Sequence, residues 1–259
     1  MTTPHHLTVL TGASRGMGLA MARQLLSPNR LLLCLSRQIS AELQAQADAA
    51  GAPLVQWSQD LADTGGARER LANWLAGLRP AEIASATLIN NAGVIPRIGP
   101  IDECPPEQLA NALRVGLEAP MQLTAAFLAA TRAWAEAGWP GPRKVLNISS
   151  GLGRNAMAAQ GPYCAAKAGL DHFTRCAALD EAQHPRGARL VSLAPGVIDT
   201  DMQQQLRAGD PQGFPDRQRF VDLREKGLLS TPEGAAQRVL AWLDRADFGQ
   251  QPVADVRDA

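Results

Sequence analysis

Tyr163 and Lys167 lie four positions apart in a stretch whose apolar residues recur at three- and four-residue intervals, so both side chains share one helix face. Ser150 precedes the tyrosine by thirteen residues and lies just past the strand-like run Lys144–Ile148. Tyr163 is also the only tyrosine in the chain, which gives weight to an otherwise common pair. A phenol with a pKa of about 10 exchanges protons poorly near neutrality, but a neighbouring ammonium favours the phenolate and lowers that value. Lys167 would supply the ammonium. Ser150 would hydrogen-bond an oxygen that gains negative charge, and Tyr163 would then hand over the proton. The trio reads as a site that reduces a carbonyl group, with Gly151 and Gly196 expected to border the substrate beside Ser150 and Tyr163.

Such a reduction needs a hydride, and a second set of residues has the spacing to hold its carrier. Thr11-Gly12-Ala13-Ser14-Arg15-Gly16-Met17-Gly18 joins a strand pattern to a helix pattern. Glycines at 12, 16 and 18 let the backbone turn sharply and approach a pyrophosphate, whose charge then sits on the N–H groups of a helix start. Where a carboxylate would receive the ribose 2′-hydroxyl of NAD, the second strand ends in Ser36 and Arg37. A hydroxyl and a guanidinium suit a 2′-phosphate, with Arg15 as a second cation, so NADP(H) is expected. Asp60 would accept from the adenine amino group with Leu61 packed beside it. In Asn90-Asn91-Ala92-Gly93, the amides would tie neighbouring loops together and Gly93 would let the cofactor lie flat.

The elements that must position these groups follow from the apolar pattern. Strands are expected at Leu7–Leu10, Leu31–Leu35, Leu54–Trp57, Thr87–Ile89, Lys144–Ile148 and Arg189–Leu193, with helical segments at Gly18–Leu26, Ala67–Leu78, Pro106–Ala137 and Pro162–Ala182 between them. That alternation predicts an α/β fold with one Rossmann-type, doubly wound parallel sheet and helices on both faces. Every motif above then falls at the carboxyl end of a strand, where such sheets bind ligands. Arg207–Phe220, rich in Gly, Pro and charge, reads as an irregular mobile segment, either a lid or a plain solvated loop. Gly138–Arg143 reads as a turn. With 259 residues, no linker and no repeat, residues 1–259 are expected to form one NADP-binding domain.

Lys plus Arg equals Asp plus Glu at 25 each, so the basic footprint of a nucleic-acid binder is missing. No stretch predicts a secretory signal or a membrane span, and Cys34, Cys104, Cys164 and Cys176 lack paired spacing. They are expected to be reduced and mostly buried in a cytoplasmic protein.

Over essentially its whole length the chain resembles the short-chain dehydrogenase/reductase family, through Thr11–Gly18, Asn90–Gly93, Ser150, Tyr163-Cys164-Ala165-Ala166-Lys167 and Pro195-Gly196-Val197-Ile198-Asp199-Thr200 in order. The resemblance implies that Pro195, Gly196, Val197 and Thr200 meet the cofactor, Val197 and Thr200 at the nicotinamide carboxamide, and that Lys167 also bonds the ribose. Asn147–Ser150, Asp199–Gln204, Leu223–Gly227 and Val253–Asp258 look more narrowly like sepiapterin reductases and bacterial benzil reductases. That likeness implies a substrate contact at Asp255, whose carboxylate matches one that holds a pterin ring. One departure stands out: in Arg114-Val115-Gly116-Leu117, Gly116 takes the place of the family's relay asparagine, and Asn111 is over a helical turn away. The expected substrate is a small dicarbonyl or α-hydroxyketone. A 3-oxoacyl carrier-protein reductase and a non-catalytic NADPH sensor are the alternatives. Small residues on the two long helices, among them Ala125, Ala126, Ala166 and Gly169, predict a homodimer or homotetramer.

Overall fold

The computed structural model describes residues 5–258. Seven parallel strands form one sheet in the order β3-β2-β1-β4-β5-β6-β7. They are β1 (His5–Thr11), β2 (Arg30–Ser36), β3 (Leu54–Ser58), β4 (Ile83–Asn90), β5 (Arg143–Ile148), β6 (Arg189–Ala194) and β7 (Val253–Asp255). Helices α1 (Gly16–Leu25), α2 (Ala41–Ala49), α3 (Thr64–Ala76), α4 (Pro106–Leu113), α5 (Ala119–Glu136), α6 (Gly161–Ala182), α7 (Asp201–Arg207), α8 (Arg217–Glu225) and α9 (Pro232–Leu243) connect them.

Because successive strand residues point to opposite faces, each apolar strand feeds two cores. Val9, Leu33, Leu35 and Val145 pack with Leu71 and Phe127 on one side. Leu10, Leu32, Cys34 and Leu146 pack with Met21 and Val239 on the other. Strand order reverses between β1 and β4, and this switch point opens the crevice in which the motif residues gather.

Several expectations need correction. A seventh strand, β7, extends the sheet through the pairs Ser192–Val253, Leu193–Ala254 and Ala194–Asp255. Three residues are too few for an alternating pattern to register. The expected helix Pro106–Ala137 is not continuous. Between α4 and α5 the backbone widens into a π-helical turn over Arg114–Glu118, centred on Gly116. Arg207–Phe220 is neither wholly irregular nor simply solvated: it takes in the end of α7 and the start of α8, and Phe214 and Phe220 are buried against Leu206. Their rings stack with centroids 5.7 Å apart. All four cysteines are free, but only Cys34 is buried and Cys176 is exposed. Ala126 and Ala166 lie in the chain's own interior, and Gly169 sits under Leu117; the exposed alanines of α5 and α6 are Ala125, Ala129, Ala133, Ala165, Ala168 and Ala182.

Candidate active site

A cavity of about 970 Å³ runs across the carboxyl ends of the central strands and is lined by Ser150, Tyr163 and Lys167 together with the glycine loop and the Pro195–Thr200 segment. Ser150 stands just beyond β5, and its Oγ accepts from the N–H of Leu152, which fixes the tight turn Gly151–Gly153. Pro162 occupies the first turn of α6, where its missing N–H does no harm, and the helix carries Tyr163 and Lys167 inward. Both are nearly closed off, at 9% and 4% exposure.

Burial decides the proton affinities here. It pushes the Tyr163 phenol up to about 12, against the smaller opposing influence of the Ser150 hydroxyl. It pulls the Lys167 ammonium down to about 8, against the carboxylate of Asp171 one turn along the helix. The expectation that Lys167 acidifies the phenol is therefore corrected: desolvation outweighs any help from the ammonium. Lys167 Nζ donates to the carbonyl of Ile148 at 2.7 Å and lies 5.8 Å from the centre of the Tyr163 ring. Burial thus keeps the phenol protonated until a stronger base, such as an oxygen gaining negative charge, meets it.

Gly12, Ser14, Arg15, Gly16, Met17 and Gly18 line one end of the cavity. Gly12 and Gly16 have positive φ, and a Cβ at Gly18 would lie 2.0 Å from the carbonyl oxygen of Gly12. Only glycine fits there. Asn91 ties this loop to the end of β4: its backbone N–H donates to Thr11 Oγ1 and its Nδ2 to the Thr11 carbonyl. Ser36, Arg37, Asp60, Leu61, Ala92 and Gly93 also line the cavity. Ser36 Oγ is buried without a partner among the described residues, which fits a donor kept for a phosphate. Arg15 is paired with Asp201 at 2.9 Å, and Asp60 accepts from the N–H of Ala62. The loop, the open start of α1 and the unpaired serine fit a nicotinamide dinucleotide.

Asp255 reaches the same cavity through β7, yet its carboxylate is engaged by Arg257 at 2.8 and 2.6 Å. Those bonds hold its pKa below the usual carboxylate range. Gly116 lies behind Tyr163 and Lys167, where a Cβ would come 3.0 Å from that of Ala166, and Asn111 does line the cavity. Sequence reasoning missed Gln160 and Gln203, which are buried beside the cavity, each with an Oε1 that has no hydrogen-bond partner among the described residues. Pro162 was the available signal for Gln160, since it marks the start of a helix and puts the preceding residues at the end that carries Tyr163.

A model of the short chain dehydrogenase family matches residues 6–211. The chain belongs to this family. A benzil reductase ((S)-benzoin forming) of Bacillus cereus is 34% identical over 245 residues, covering 95% of this chain and 96% of that one. A sepiapterin reductase of Meriones unguiculatus is 33% identical over 262 residues, covering 96% and 95%. Among solved structures, a metagenomic short-chain oxidoreductase in complex with NADP superposes with a TM-score of 0.70 at 26% identity, covering 97% of this chain and 95% of that one. Membership makes this protein an oxidoreductase acting on carbonyl or alcohol groups with a nicotinamide cofactor. Among the described residues no helix is long and apolar enough to cross a membrane, and no cluster of His, Cys, Asp and Glu could hold a metal.

Proposed function

We propose that this short-chain dehydrogenase is an NADPH-dependent reductase of a ketone or dicarbonyl, with Tyr163 as the proton donor and the whole chain acting as one cofactor-binding unit. The observation that carries the reading is that Ser150, Tyr163 and Lys167 line one cavity, with Tyr163 and Lys167 both buried on the same face of α6. When bound, NADPH supplies the hydride. Ser150 holds the carbonyl oxygen, so that negative charge developing on it is met by a hydroxyl donor. Tyr163 Oη gives its proton to that oxygen, leaving an alcohol and a phenolate. Lys167 offers the nearest ammonium to the phenolate, so its value to the reaction appears after proton transfer rather than before it. Ser36, Arg37 and Arg15 favour the 2′-phosphate of NADPH over a bare ribose. The names of the bacterial and mammalian relatives support a dicarbonyl or pterin side chain as substrate.

The test is NADPH and NADH oxidation against benzil, diacetyl, sepiapterin and acetoacetyl carrier protein. Turnover of the small carbonyls with NADPH preferred is expected. Preference for the carrier protein would favour fatty-acid chemistry, and tight cofactor binding with silence on every carbonyl would favour a sensor. Tyr163→Phe removes one oxygen and keeps the ring, so it should lower kcat by about 10²- to 10⁴-fold while leaving NADPH binding nearly unchanged. A variant keeping more than about a tenth of the rate would exclude Tyr163 as principal donor.

A further inference from the structure

Two walls of the cofactor cleft touch where the glycine loop meets the start of α7. A Cβ at Gly16 would lie 3.6 Å from Thr200 Cγ2. Beside this contact, Arg15 Nη1 donates to Asp201 Oδ2 at 2.9 Å. Both side chains are largely exposed, at 63% and 57%, so water screens the pair and either partner can be exchanged for another at little cost. A second cavity, of about 290 Å³, shares Arg15, Arg37 and Asp201 with the cofactor cleft, and these three are the charged groups in its lining. Two cations thus face one space, and one of them is already held by a carboxylate. The neighbouring Asp199 is turned to Arg207 at 3.4 Å. Asp201 is therefore the acid of this segment that engages the cofactor's arginines.

We infer that Asp201 is a specificity-determining residue that competes with the 2′-phosphate of NADPH for Arg15, so that it weakens NADPH binding and leaves NADH binding unchanged. The inference rests on the cofactor reading above, in which Arg15 is a phosphate ligand, and adds the group that opposes it. A phosphate monoester carries a charge of about −1.5 to −2 at pH 7. To bond Arg15 it must draw the guanidinium away from a carboxylate of the same sign as itself, and that exchange lowers the net gain. NADH offers a bare hydroxyl at the same place and asks nothing of Arg15. The arginines then set the preference for NADPH, and Asp201 limits its strength. A limit of this kind keeps the oxidised cofactor free to leave after each turnover.

The experiment measures Kd for NADPH and NADH by nicotinamide fluorescence, with no carbonyl substrate present. Asp201→Asn, an isosteric change at an exposed position, should tighten NADPH binding by about three- to tenfold, with NADH held within about twofold of wild type. The gain should shrink as salt is raised. Asp201→Glu keeps the charge and should stay within about twofold of wild type for both cofactors. In an Arg15→Ala background, Asp201→Asn should lose most of its gain, because the arginine competed for is no longer there. Weaker NADPH binding in Asp201→Asn overturns the inference, since Asp201 would then be orienting Arg15 toward the phosphate. Unchanged binding overturns it, and so does equal tightening of both cofactors or a full gain without Arg15. A wild type that does not prefer NADPH removes the cofactor reading and the inference with it, and the wild-type constants alone reveal that outcome.

Discussion

Burial moves Tyr163 and Lys167 in opposite directions, and the two shifts have different consequences for stability. Lys167 binds its proton more weakly in the fold, at about 8 against 10.5, so the buried ammonium destabilises the cofactor-free protein at neutral pH. That penalty is fully present below about 8 and is relieved as pH climbs from there toward 10.5. Tyr163 runs the other way: its phenol, raised from 10.0 to about 12, contributes stability that is present below pH 10 and lost as pH rises through 12. Lys167→Met should therefore abolish turnover yet raise stability at pH 7 by about 1–2 kcal/mol, once the unpaired Ile148 carbonyl is allowed for. Thermal melts at pH 7 and pH 10 test this, because the gain should shrink at the higher pH; a variant less stable than wild type at pH 7 would contradict it. The residues whose chemistry demands a particular type, such as Ser150, Tyr163, Lys167 and Gly18, were legible in the sequence. Gln160 was not, because a glutamine in a loop shows no pattern until the fold closes around it. The state of Asp255 was hidden for a related reason, since nothing in the spacing says that Arg257 folds back onto it.

Among the elements, the long central strands and the α6 helix follow from apolar periodicity, while the break between α4 and α5 does not. Periodicity carries through Arg114–Glu118, and it hides the mark left by Pro120 in the first turn of α5, which has no N–H to return to the carbonyl of Gly116. α6 packs against this turn, with Ala166 opposite Gly116 and Gly169 opposite Leu117. Gly116 can thus be understood without reference to the asparagine it replaces: a side chain there would push on the helix that carries Tyr163 and Lys167. Gly116→Asn should destabilise by about 1–3 kcal/mol through overpacking and should lower kcat by displacing α6. Combining it with Ala166→Gly should recover more stability than the two single changes predict, since the pair is in contact. Strict additivity in urea unfolding would show that the two positions do not meet. The segment between α7 and α8 teaches the same lesson, because Gly and Pro signalled a loop while Phe214 and Phe220 quietly supplied it with a core.

For the whole molecule, the doubly wound parallel sheet and the location of the cavity were readable from the alternation of strands and helices, but the strand order and the outer surface were not. Choosing small residues on α5 and α6 as an oligomer face picked Ala126 and Ala166, which the chain uses internally. Periodicity identifies a face, and only the packed fold says which face remains. What remains on these helices includes Met121 and Leu179, exposed at 40% and 68%, with exposed Ala125 one turn from Met121 and Ala182 three residues from Leu179. Large exposed apolar side chains set among alanines can approach a second copy closely, and a two-fold axis would bring each helix against its own equivalent. A homodimer or homotetramer is therefore expected by light scattering at micromolar concentration. Leu179→Glu should shift the mass toward the monomer, because two carboxylates would face each other or lose solvent across the axis. The substitution lies at the far end of α6 from Tyr163, so monomer formation should come without a change in the intrinsic pKa of the active-site pair. A monomeric wild type would remove the expectation, and a Leu179→Glu protein that kept its full assembled mass would move the contact to another face.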